Sequence, residues 1–83
     1  KPPPSRAADV ECLALIYLAN SFIALGNDDR ANELANISLD HARRVQWEWG
    51  EIEGICCLAP LEYRFCNFAR SAELCRRGLL LSM

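Results

Sequence analysis

Leu18-Ala19-Asn20-Ser21-Phe22-Ile23-Ala24-Leu25-Gly26-Asn27-Asp28-Asp29-Arg30-Ala31 is the stretch that decides the fold. It reads as the end of one helix, a tight turn at Gly26-Asn27, and the start of a second helix that folds back. Leu18, Phe22 and Leu25 are spaced by four and three residues and so share one helical face. Gly26 follows the last apolar position, where a residue without a Cβ takes φ > 0 at little cost. Asn27 or Asp28 can cap the next helix by accepting from an orphan backbone N–H. Ala31 is small where two antiparallel helices must approach closely. The stretch is a helical hairpin.

Upstream, Pro2 to Pro4 cannot join a helix interior and predict an extended leader, with Ser5 as the N-cap of a helix over residues 6–25. That helix carries two apolar stripes. Leu15, Leu18, Ala19 and Phe22 form one; Leu13, Ile16, Ile23 and Ala24 form the other, with Asn20 among them. A helix apolar on two sides is covered on two sides or lines a groove.

Downstream, a second helix is expected from Asp28 to Val45, with Ala31, Leu34, Ala35, Ser38 and Ala42 as a narrow inner stripe. Its acidic start and its Arg43-Arg44 end suit the helix dipole, so those charges need no functional account. A third helix is expected from about Glu48 to Phe65. Trp47 and Trp49 flank its start, and residues two apart on one helix point different ways, so one should cover the hairpin junction. Pro60 predicts a kink or break near residues 57–60, because proline removes a backbone donor and clashes with the preceding turn. A fourth helix begins near Asn67-Phe68, with Leu74, Cys75, Gly78 and Leu79 on its packing face. Short connections make neighbouring helices antiparallel.

Composition narrows the function classes. A chain of 83 residues that is 52% apolar has more apolar surface than one small domain readily hides. A net charge of −2 supplies no basic field for nucleic acid or an anionic membrane. No apolar run approaches the ~18 residues that span a bilayer, and no signal-peptide core follows Lys1. Cys12, Cys56, Cys57, Cys66 and Cys75 are odd in number and lack metal-ligand spacing with His41. Reduced thiols, an intracellular protein, no metal and no cofactor are the expectations. The one histidine, His41, has no nucleophile motif or oxyanion turn to work with, and Gly50-x3-Gly54 has neither the strand nor the lysine of a phosphate loop. A non-enzyme is expected.

Shifting the chain against itself by forty residues reveals a repeat. Glu11/Glu51, Leu18/Leu58, Ala19/Ala59, Asn27/Asn67, Arg30/Arg70, Glu33/Glu73, Leu34/Leu74 and Leu39/Leu79 are identical pairs, and both turns fall in register. A repeated helical hairpin predicts a solenoid, in which each unit buries its face against the next.

The residues resemble the tetratricopeptide repeat family. Leu15, Leu18, Ala19, Phe22, Gly26, Ala31, Ala35 and Ser38-Leu39 match its small and large signature positions in order and spacing. Ala59, Ser71, Cys75 and Gly78-Leu79 match more weakly in a second unit. The usual period is about 34 residues, whereas forty resembles the long-helix subclass of spindle-orientation adaptors and bacterial activator sensor arrays. Glu62 stands in the place of Phe22, Cys66 in that of Gly26 and Pro60 in that of Asn20, so the second unit is expected to be atypical. The resemblance implies an all-α, right-handed solenoid segment of four helices: a leader over 1–5, one repeat over 6–45, a second over 46–83, and a longer array around them.

It further implies a protein- or peptide-binding scaffold whose first helices line a groove. The groove residues would be Leu13, Ile16, Asn20, Ile23 and Ala24, with Tyr63 and Arg64 matching in the second unit, alongside Glu53, Cys56 and Pro60. In similar repeats an asparagine at the position of Asn20 bonds a bound peptide's backbone, since an amide both donates and accepts; bridging to a neighbouring helix is the other reading. The alternative function is an oligomerisation module of a larger regulatory protein or transcription activator, packing against subunits rather than capturing a peptide. Leu79, Leu80 and Leu81 cannot all face one neighbour. Self-association through them is expected.

Overall fold

A computed structural model describes residues 6–83, with side chains from Asp9 onward. The chain forms four helices: α1 Arg6–Ala24, α2 Asp28–Arg44, α3 Glu48–Arg64 and α4 Phe68–Ser82. No strand occurs among the described residues. Every expected helix is present, within a residue or so of its expected bounds. The proline leader and the Ser5 cap lie outside the described residues. Helix α2 packs on α1, α3 packs on α2 and also reaches α1, and α4 packs on α3. This is an all-α stack of two helical hairpins, a helical-repeat fold.

One turn geometry joins all four helices. The left-handed residue is Gly26 at φ 81°, then Gln46 at 57°, then Cys66 at 65°, each twenty residues after the last. At each turn the next amide reaches back to the preceding helix: Asn27 to the Phe22 carbonyl at 2.8 Å, Trp47 to Ala42 at 2.9 Å and Asn67 to Glu62 at 2.8 Å. The left-handed residue's own amide donates to Ile23, Arg43 and Tyr63 in turn. These paired bonds satisfy carbonyls that a helix end would otherwise leave orphaned. Asn27 also caps α2, its Oδ1 accepting from the Arg30 amide at 3.2 Å. The backbone period is therefore a helix of twenty residues, half of the sequence period.

The hairpin core is built on small residues. Ala19, Ala31, Ala35, Ser38 and Ala42 are buried between α1 and its neighbours, with Cys12, Ile16, Leu34 and Leu39 around them. Alanine lets helix axes approach, and the larger side chains fill the space on either side. Hydroxyls stitch the close crossings: Ser38 Oγ donates to the Cys12 carbonyl at 3.1 Å, and Ser71 Oγ to the Ala59 carbonyl at 2.9 Å. Leu39, Leu58 and Leu61 are fully buried, each worth ~1.5–3 kcal/mol relative to exposure.

Three expectations are corrected. Leu18, Phe22 and Leu25 share a face, but it is not a buried one: Phe22 is half-buried, and Leu18 and Leu25 are 49% and 79% exposed. The inner arc of α1 is centred on Ala19, with Cys12, Ile16 and Ile23 to one side and Leu15 and Phe22 to the other. Leu18 lies beside Phe22 at the arc's edge, where spacing alone cannot separate inside from outside. Pro60 does not break α3, which continues to Arg64. Pro60 and Cys56, whose carbonyl loses its helical donor, are both exposed, so solvent can serve that carbonyl. The two tryptophan rings do meet, with centroids 5.6 Å apart. Trp47 precedes the helix in an extended conformation, φ −97° and ψ 95°, and is not bound by helical spacing. Its ring lies directly over Gly50, where an added Cβ would collide with it. Trp47 is half-buried against the first turn of α3, while Trp49 is exposed.

Candidate functional site

The most apolar groove of the molecule runs between α3 and α4. It encloses about 620 Å³. Ile55 and Ala59 form its floor, Cys56 and Tyr63 its α3 wall, and Cys75 and Leu79 its α4 wall. Each of these residues is the forty-residue image of one on hairpin α1–α2: Leu15, Ala19, Ile16, Ile23, Ala35 and Leu39 respectively. In that first hairpin Ile16, Ala19, Ala35 and Leu39 are buried, and Leu15 and Ile23 partly so. Helix α3 lies against that hairpin. Gly54 packs against Leu39 of α2, an added Cβ coming to 3.4 Å of it, and the Cys57 thiol donates to Asn20 Oδ1 of α1 at 3.7 Å. The second hairpin carries the same groove with nothing in it among the described residues. Leu39 is 1% exposed and Leu79 66%.

Two buried carboxylates on α3 hold the groove's walls in place. Glu51 accepts from Arg43 of α2 at 3.2 Å and from Arg77 of α4 at 3.0 Å. Glu62 accepts from Asn32 of α2 at 2.6 Å and Asn67 at 3.2 Å, and pairs with Arg70 of α4 at 3.2 Å. Burial alone would raise both carboxyl pKa values. For Glu51 the hydrogen bonds from Arg77 and Arg43 outweigh it, and for Glu62 those from Asn32 and Arg70 do, so both lie below the ordinary value. Each carboxylate is ionised and spoken for. These groups tie α3 to α2 and to α4.

The residues expected to line a groove are split by the fold. Ile16 is buried in the core, and Leu13 and Ile23 are half-buried. Asn20 and Ala24 are exposed. The carbonyl oxygen of Asn20 bridges to α3 through Cys57, which is the helix-bridging role, while its amide NH2 keeps no partner among the described residues. Tyr63 is exposed, makes an edge contact with Phe68 at 5.0 Å, and belongs to the α3–α4 groove. Arg64 is tied to Asp28 of α2 at 3.1 Å. Of the terminal leucines, Leu79 and Leu80 are exposed and Leu81 turns onto the core.

Sequence reasoning missed a ridge on α1. Val10, Ala14, Tyr17 and Leu18 are exposed along one face, with Val10 58%, Tyr17 66% and Leu18 49% accessible. The forty-residue alignment contained the signal. These four are the images of Gly50, Gly54, Cys57 and Leu58, all buried on α3.

All five cysteines are free, with Cys12 and Cys57 buried and Cys56, Cys66 and Cys75 exposed. Burial, and then the neighbouring charges of Asp9 and Glu11, push the Cys12 thiol pKa up; burial, then Cys56, does the same at Cys57. Among the described residues no three histidines, cysteines or carboxylates converge as metal ligands, and no helix is long and apolar enough to cross a membrane. Compared with known proteins, the chain matches no family model, no curated protein and no solved structure.

Proposed function

We propose that this chain is a protein-interaction module of tetratricopeptide-like architecture, and that the α3–α4 groove is its docking surface. One observation carries the reading: a groove lined by Ile55, Ala59, Tyr63 and Leu79 stays open on hairpin two, while its image on hairpin one is filled by a helix. An apolar trough between two helices takes an amphipathic helix, whose spaced side chains drop into it. The exposed amide NH2 of Asn20, beside the α1–α3 contact, is available to bond a partner's carbonyl. The chain works by holding a partner in place, without chemistry of its own. The occupant is a helix with a small residue followed four positions later by leucine, as Gly54 and Leu58 are placed on α3.

The test is a titration of the chain with a labelled helical peptide of residues 48–64. Saturable binding that Leu79→Glu abolishes supports the reading. An absence of binding at millimolar peptide, or binding indifferent to Leu79→Glu, rules the groove out.

A further inference from the structure

Resting on that reading of the groove, we infer that its occupant is α1 of a second copy of this chain, which docks head to tail. The exposed ridge of Val10, Ala14, Tyr17 and Leu18 occupies, forty residues earlier, the positions that Gly50, Gly54, Cys57 and Leu58 use to meet the first hairpin. Leu18 and Leu58 are identical, and Ala14 stands for Gly54, so the incoming helix keeps the small residue and the leucine of its model contact. The receiving surface matches as well. Gly54 packs on Leu39 inside the chain, and Ala14 of the second copy would pack on Leu79. Cys57 meets Asn20 inside the chain, and Tyr17 of the second copy would meet Pro60, an apolar pair.

Continuity with the α2–α3 contact therefore selects the occupant: groove and ridge are the two halves of one internal interface, each uncovered among the described residues. Single exposed apolar residues are ordinary, but two complementary rows in one register are not. The match is weaker than the internal one in a definable way. Glu62 has Phe22 as its image and its partner Asn32 has Ala72, while Arg43, a partner of Glu51, has Met83. The polar ties at both ends of α3 are thus replaced by apolar contacts or lost. Docking between copies should be reversible and dependent on concentration. The same displacement that carries hairpin one onto hairpin two relates one copy to the next, so the contact is heterologous and leaves a free groove at one end and a free ridge at the other. The assembly is an open row, not a closed dimer.

Sedimentation of the intact chain, of Leu18→Glu, of Tyr17→Glu and of Leu79→Glu tests this, with circular dichroism confirming that each is folded. All three substituted side chains are at least half exposed or nearly so, at 49%, 66% and 66%. The unmodified chain should grow in mass steadily with concentration, while each variant stays at the monomer mass of 9.3 kDa. The decisive mixture is Leu18→Glu with Leu79→Glu. The first retains a groove and the second a ridge, so together they should form a one-to-one dimer of twice the monomer mass and grow no further. A monomeric unmodified chain, a closed dimer, or a mixture that stays monomeric overturns the proposal. A chain that remains monomeric yet binds the 48–64 peptide rejects the second copy and leaves the groove as a docking site for another protein.

Discussion

Glu51 and Glu62 stand eleven residues apart on α3, three helical turns and so the same face, and each ties α2 to α4 from opposite ends of the helix. Helix α3 packs between α2 and α4 and also reaches α1, and these two carboxylates fix it against α2 and α4. The amides and guanidinium groups around them satisfy oxygens that are only a few per cent exposed. An unpaired carboxylate at either place would be costly.

Acid should loosen the stack through these two groups. Both carboxyls hold their protons less tightly folded than unfolded, so the unfolded chain binds more protons as pH falls. Their stabilisation is fully present above the ordinary carboxylate value of 4.5 and is lost as pH drops below it and through the depressed folded values. Replacing both with Gln should lower stability at neutral pH by about 1 kcal/mol each, since the arginine partners are half exposed and screened. The acid limb of the stability curve should flatten at the same time. Urea melts across pH 3–7 read both effects; an unchanged acid limb in the double variant would place the acid sensitivity elsewhere.

Cys66→Gly should stabilise the protein. Cys66 is exposed and sits at φ 65°, where an L side chain costs about 1–2 kcal/mol, partly offset by the unfolded-state entropy that glycine adds. A gain of about 0.5–1 kcal/mol is expected, and Gly26→Ala should lose a similar amount at the equivalent turn. Thermal melts that rank Cys66→Gly below the unmodified chain would refute it.

Ala31→Leu should destabilise by ~1–3 kcal/mol through overpacking. Ala31 is fully buried at the start of α2, within the close α1–α2 crossing. An unchanged melting temperature would put the crossing somewhere else.

Thiol labelling of the native chain should be graded. Cys56, Cys66 and Cys75 should alkylate quickly, while Cys12 and Cys57, buried and with raised pKa values, should react only as the fold opens. Intact-mass spectrometry should pause at three labels and reach five on denaturation. Uniform labelling of all five without denaturant would mean that the core around Cys12 and Cys57 is open.

Local chemistry was enough to place the helices. Gly26 with Asn27, the small stripe of Ala31, Ala35, Ser38 and Ala42, and the forty-residue repeat named the hairpins and nearly all of their ends, because turns and amphipathic faces are written within a few residues. Tertiary structure decided what those signals left open. Gln46 and Cys66 take the left-handed turn conformation without glycine's advantage, since packing of the flanking helices can outweigh a local cost of that size. Leu18 and Leu58 are the same residue at the same place in the repeat, yet one is half exposed and the other fully buried. Sequence period tells which positions are equivalent. Whether an equivalent face is covered depends on which neighbour is present, and only the stacked helices settle that.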